Sequence, residues 1–202
     1  DIWLQDYFFN RVYKEENNKF YSYVNGQHRE KADFFELDGE YYYAYDGGEI
    51  PIGSFTVNGN DYKSGEDGKI LIQSLKPEIL EHGAINVTAG NTTSHQLSST
   101  VSGYYGVELP SKILAEAQYS LTWSTASKDL SSFGLSFNDG VVSAGSQAVV
   151  GTYQIPVTVT ATSGNLTASA NTTVSVKIND VAPVLDKSEI NISVRKGEPV
   201  SQ

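Results

Sequence analysis

The alternation in residues 151–181, GTYQIPVTVTATSGNLTASANTTVSVKINDV, constrains this chain more than any other feature. Tyr153, Ile155, Val157, Val159 and Ala161 take every second place, with Gln154, Pro156, Thr158, Thr160 and Thr162 between them. After Ser163-Gly164-Asn165 the beat returns in Leu166, Ala168 and Ala170, then in Val174, Val176 and Ile178. Successive side chains of a strand point to opposite faces, so this beat predicts two long strands, each with one buried and one wet face. The short turn between them makes a hairpin. Such a hairpin predicts an all-β chain of β-sandwich class, which a composition shift near residue 84 and a repeated segment divide into tandem modules. Pro156 has no N–H for a ladder, so it is expected on an edge or at a bulge.

The length, 202 residues, has room for two sandwiches of about 100 residues each. Acidic residues number 24 against 14 basic ones, a net charge of −10. That balance argues against nucleic acid or an anionic membrane as partner and favours cations or basic surfaces. The chain has no cysteine, so disulfides, thiolate metal sites and cysteine nucleophiles are impossible. A sandwich of extracellular type without cysteine points to a bacterial exported protein. The chain also has no methionine, so it is expected to be a piece or processed product of something longer. No run of about 18 apolar residues is present, and no membrane-spanning helix is expected.

Composition shifts near residue 84. Residues 1–83 hold most of the aromatic and charged residues, and residues 84–181 are rich in Ser, Thr, Val and Ala. Three parts are therefore expected: an aromatic-rich β-module over 1–83, a sandwich over 84–181, and a linker with a first strand of a further module over 182–202. In the first part FYSYV, FFEL, YYYAY, SFTVNG and KILIQSL read as short strands. Asn25-Gly26, Asp38-Gly39, Asn58-Gly59 and Asp67-Gly68 mark tight hairpin turns, because these pairs tolerate positive φ. Pro77-Glu78-Ile79-Leu80 is expected to form one helical turn, with proline at its first position. The opening DIWLQDYFFNRVY fits strand or helix. Ile85-Asn86-Val87-Thr88-Ala89 recurs as Ile190-Asn191-Ile192-Ser193-Val194, about one sandwich later, and Asp180-Val181-Ala182-Pro183 between them reads as a linker.

A family likeness rests on several motifs in order: Ala89-Gly90, Tyr119-Ser120-Leu121-Thr122-Trp123, Phe133 through Val141, Gly151-Thr152-Tyr153 and the closing hairpin. Residues 85–181 resemble the bacterial immunoglobulin-like modules of putative-Ig and dystroglycan-type cadherin-like kind, found in tandem on surface proteins. The start of a further repeat falls at 184–202. Val57-Asn58-Gly59, Tyr62 and Asp67-Gly68-Lys69-Ile70 look like the endings of other surface-protein β-modules. The resemblance implies a sandwich and a cell-surface or secreted setting, and it brings no catalytic residues.

Five kinds of chemistry are open to these residues. For catalysis, His28, His82 and His95 are scattered in polar surroundings, and no nucleophile elbow, phosphate-cradling loop or zinc-binding helix motif is present. For calcium, Asn179, Asp180 and Asp186 flank the linker and Asp129 and Asp139 sit in loops, offering oxygen ligands to a hard cation. Solvated acids and turn formers account for the same residues. For ligand binding, Tyr41, Tyr43 and Tyr45 share one face of a strand, with Tyr42 and Ala44 on the other. An exposed tyrosine row would suit a glycan or a protein partner, and a core face would explain the same spacing. For a Lys–Asn cross-link, Lys69 and Lys177 are the strand lysines. The sequons at Asn86, Asn91, Asn165, Asn171 and Asn191 fit chance in a Thr-rich sequence.

The expected function is non-catalytic: a fragment of a bacterial cell-surface or secreted protein acting as an adhesive or structural stalk, with no cofactor beyond a possible Ca²⁺. Its partners would be neighbouring modules of the same chain, and a glycan or a host or matrix protein. A carbohydrate-binding first module, or accessory modules of a larger secreted enzyme, are the alternatives.

Overall fold

The computed structural model describes residues 10–182. The repeat at 184–202, Asp186 and the opening residues 1–9 lie outside these. The described residues fold as β-strands joined by turns and two short 3-10 turns.

Eight short strands come first: β1 (Arg11–Lys14), β2 (Phe20–Val24), β3 (Gln27–His28), β4 (Asp33–Leu37), β5 (Glu40–Ala44), β6 (Glu49–Ile50), β7 (Gly53–Val57) and β8 (Asn60–Ser64). Hairpins join β2 to β3, β4 to β5 and β7 to β8. Their turns are Asn25-Gly26, Asp38-Gly39 and Asn58-Gly59, all six residues at positive φ. Two consecutive positive φ values make the turn whose twist matches antiparallel strands.

Between hairpins the chain makes a second kind of turn three times. Glu15 N–H bonds to the Lys19 carbonyl and Asn18 N–H to that of Glu15. Tyr45, Glu49 and Gly48 repeat this pattern, and Gly65, Lys69 and Gly68 repeat it again. The left-handed positions are Asn18, Gly48 and Gly68, with Gly47 left-handed as well in the second turn; Asp67-Gly68 thus belongs to this wider turn and is not the two-residue hairpin turn expected. Each turn then delivers an apolar residue to the interior: Phe20, Ile50 and Ile70. The second turn docks on the first hairpin through Ser22 N–H to the Gly48 carbonyl at 2.8 Å. The third docks on β5 through Ile70 N–H to the Tyr41 carbonyl at 2.8 Å. At Gly48 a Cβ would lie 2.8 Å from the Ser22 oxygen and 2.9 Å from the Arg29 nitrogen, so only glycine fits this approach.

The remaining strands are β9 (Ser74–Ile79), β10 (Ile85–Thr88), β11 (Thr93–Gln96), β12 (Ser99–Tyr104), β13 (Lys112–Ile113), β14 (Ser120–Thr125), β15 (Leu135–Asn138), β16 (Val141–Ala144), β17 (Gly151–Ser163) and β18 (Leu166–Asn179). One sheet has the order β10-β18-β17-β14. Facing it are two three-stranded sheets, β11-β16-β15 and β13-β12-β9. Ile155, Val157, Val174, Val176 and Ile178 pack against Leu135, Val142 and Ala144. Further along the same hairpin, Ala161 packs with Leu75, Val101 and Leu114. The result is a β-sandwich, and the expected inward row is the core row.

Pro156 lies just before Val157, where the pairing of β17 with β14 ends, so one side of the strand is free there. The expected helical turn at Pro77–Leu80 is not formed, since Pro77 lies inside β9 opposite Val101. Leu80 N–H bonds to the Ser98 carbonyl, so the nitrogen of Pro77, three residues earlier, points away from β12. As β9 is an edge strand, no ladder bond is lost. The β9–β12 pairing also carries strand contacts across residue 84, where the composition changes.

Ile155→Ala should destabilise the chain by about 2–5 kcal/mol, whereas Thr122→Ala on the wet face should change stability by no more than about 0.5 kcal/mol. Urea unfolding followed by circular dichroism measures both.

Candidate functional site

The tyrosine row of β5 is placed by stacking on both sides of the strand. Tyr42 and Ala44 pack with Ile50 and, at the cluster's edge, with Val12, Phe20 and Phe35. Tyr41 packs with Phe55, Tyr62, Ile70, Tyr105 and Leu109, and Tyr43 lies against the same cluster. Tyr41 is 6% exposed and Tyr45 is 40% exposed. An open platform of Tyr41, Tyr43 and Tyr45 is therefore not formed: Tyr41 is core, Tyr43 is half-buried, and Tyr45 alone stands out. Neither face of β5 is a wet surface, because hairpins cover both.

Tyr41 instead belongs to the joint between hairpins and sandwich. Its ring meets Tyr105 edge-on, with centroids 5.0 Å apart. The Lys112 ammonium lies 5.3 Å from the centre of each ring. It also bonds to the Gly39 carbonyl and pairs with Glu40 at 3.3 Å. Asn58 Nδ2 donates to Glu108 at 2.9 Å, and Gln73 Nε2 to the Asp61 carbonyl at 2.8 Å. Burial, with the Glu40 charge second, pushes the Tyr105 phenol up to about 12. Gly106 is required beside it, since a Cβ there would lie 2.3 Å from the Tyr62 ring.

A partly exposed aromatic surface exists elsewhere, on the outer face of the first sheet, where Tyr13 and His28 are exposed and Tyr21 and Tyr23 half-buried. Cross-strand pairs Arg11–Tyr23, Tyr13–Tyr21 and Tyr23–His28 place five side chains on that face. Tyr21 and His28 stack with centroids 4.5 Å apart and planes 6° apart. The Arg11 guanidinium lies 5.1 Å from the Tyr23 ring centre and 5.7 Å from that of Tyr13, which is 56% exposed. The Tyr23 hydroxyl donates to Glu15, and His28 Nε2 lies 2.6 Å from the same carboxylate. These bonds, Tyr23 first, hold Glu15 below the usual carboxylate range. The same bond, with burial second, pushes Tyr23 up to about 12. Such a surface offers flat apolar faces ringed by donors and acceptors, which suits a sugar ring or a polar protein face. The signal for it was the period of two in RVY and YSY, read against the turn that pairs them.

The residues expected to hold calcium are engaged locally. Asn179 Nδ2 donates to the Val87 carbonyl at 3.5 Å, and Asp180 accepts from Val181 N–H at 2.8 Å. Asp186 lies outside the described residues. Asp139 occupies a positive-φ turn position, and the Asp129 carbonyl closes a 3-10 turn. Among the described residues no group of three or more His, Asp or Glu side chains could hold a metal. Lys69 pairs with Asp67 at 3.2 Å, and the exposed Lys177 lies beside the exposed Asn86 across the β10–β18 pair.

No protein-family description and no curated protein matches the chain. Among solved structures, a chimeric titin Z1Z2 functionalized with a KLER exogenous peptide from decorin is similar at 17% identity and a TM-score of 0.27. It covers 54% of this chain and 100% of its own length. The strand pairing and the buried rows between the sheets make the sandwich.

The raised Tyr105 phenol stabilises the fold below the ordinary tyrosine pKa of about 10. That contribution is lost as pH rises from there through about 12, because the unfolded phenol ionises first. Ultraviolet titration should show Tyr105 ionising later in the wild type than a free phenol does, with the late step missing in Tyr105→Phe. Gly106→Ala should cost about 1–3 kcal/mol or more in denaturant unfolding.

Proposed function

We propose that this chain is a non-catalytic, load-bearing and adhesive part of a bacterial cell-surface or secreted multi-module protein, with neighbouring modules of the same chain as its first partners. The observation that carries this reading is the parallel pairing of β10 with β18, Ile85 opposite Val176 through Thr88 opposite Asn179. In a parallel pair the start of one strand and the end of the other lie at opposite ends. A pull between the segment before β10 and the exit after β18 therefore loads the ladder bonds together, in shear. The buried residues Ile85, Val87, Val176 and Ile178 on the same pair must be exposed in the same event. The joint at Lys112 supports a stiff handover from the hairpins to the sandwich. The cysteine-free composition supports a bacterial, exported setting.

A second reading, glycan binding by the hairpins, is favoured by the outer face of the first sheet. Arg11, Tyr13, Tyr21, Tyr23 and His28 form a broad aromatic surface there, and Tyr45 adds a separate exposed ring.

Ala89→Pro removes the bond from Ala89 N–H to the Asn179 carbonyl, 2.8 Å long at the end of the parallel pair. Force spectroscopy of the chain between handles should show a clear sandwich unfolding peak that falls in this variant. Unfolding without a peak, or an unchanged peak in the variant, would sink the load-bearing reading. A glycan array probed with the whole chain and with Tyr13→Ala tests the second reading, which predicts signals that the variant loses.

A further inference from the structure

Two of the three histidines in the chain, His82 and His95, lie side by side with their rings edge to face. His82 lies in the 80–84 segment where the chain crosses from β9 to β10, and so from one sheet of the sandwich to the other. His95 lies on β11, outermost in its sheet, and pairs on its inner side with Val142. The β9–β12 register explains the meeting. Ile79 pairs with Ser99, and Leu80 N–H bonds to the Ser98 carbonyl at 2.9 Å. Continued past the ladder, that antiparallel register carries the 82–83 stretch alongside residues 95 and 96, at the free edge of β11. The two imidazole centroids are 6.4 Å apart with planes 62° apart.

Both rings are half-buried, so their motion is restricted while one side stays open to water. His82 Nδ1 lies 3.4 Å from the Gly83 carbonyl, an arrangement in which Nδ1 carries the proton and Nε2 keeps its lone pair. Among the described residues no hydrogen bond occupies the His95 ring. Glu81, Thr172 and Thr173 line the cleft beside His82, and the net charge of −10 raises the local concentration of cations.

We propose that His82 and His95 form a binding site for a borderline divalent cation of the Zn²⁺, Ni²⁺ or Cu²⁺ class. One nitrogen from each ring would bind at about 2 Å, with water filling the other positions. Imidazole selects these ions over Ca²⁺ and Mg²⁺, which take oxygen ligands. The site is distinct from the calcium expected near the linker, and it stands independently of the load-bearing reading. Binding would tie the crossing segment to the free edge of β11 and stiffen the sandwich where the chain changes sheets.

The test is calorimetric titration of the tag-free chain with ZnCl₂ and with NiCl₂. One cation per chain is expected, with affinity falling at least tenfold in His82→Ala and in His95→Ala. His28→Ala should bind as the wild type does, and CaCl₂ should give no comparable heat. The cation should also raise the melting temperature of the wild type and leave that of His82→Ala unmoved. Circular dichroism of each variant without cation shows whether it has folded. No binding by the wild type, or affinity unchanged in a folded His82→Ala or His95→Ala, would overturn the proposal. So would an equal loss in His28→Ala.

Discussion

The long antiparallel pairing of β17 with β18 is the support on which the sandwich rests. It runs from Gly151 opposite Ile178 to Ser163 opposite Leu166. No other strand of the sandwich is long enough to back both facing sheets. Its valines and isoleucines at one end fill the space under β15 and β16. The smaller Ala161 and Ala168 at the other end leave room for Leu75, Val101 and Leu114. Close packing makes the size of each inward side chain depend on the sheet above it. β10 and β14 then use the hairpin's two edges, so the core and the parallel pair both depend on one ladder.

The hairpin stack is built on a different economy. No hairpin in it has an interior of its own, and each covers the next. β5 shows this most clearly, because Tyr42 is buried on one side and Tyr41 on the other. The stack ends on the sandwich, where Tyr105, Lys112 and Glu108 receive it. A lysine set between two tyrosine rings and a carboxylate gains both charge pairing and cation–π attraction at a place partly shielded from water. Contacts of this kind make the two β-rich parts more than beads on a thread.

Part of this was legible along the chain. The inward row of the closing hairpin could be read residue by residue, because a strand's period survives whatever packs on it. The Asn-Gly and Asp-Gly turns were legible for the same local reason. A second regularity lies in the chain: Phe35, Leu37, Asp38-Gly39, Tyr42, Gly48 and Ile50 are matched twenty places later by Phe55, Val57, Asn58-Gly59, Tyr62, Gly68 and Ile70. Polar substitutions at exposed places between them hid the repeat. The three identically closed turns make it visible.

What the sequence determined by itself was the class of structure: alternation and turn pairs lead to an all-β chain with a sandwich. It also determined which residues of β17 and β18 face inward, since that depends only on backbone geometry. Only the tertiary structure decided which tyrosines are available. Tyr41 and Tyr13 are both strand tyrosines, yet one is core and the other is exposed, because the sandwich packs on the first while Tyr13 lies on the outer face of its sheet. The same holds for His82 and His95, and for Pro77, whose place in an edge strand makes its missing N–H harmless. A strand's period says which side chains share a face, but what packs on that face, and so the exposure and partners of the tyrosines and histidines, is set by elements distant along the chain.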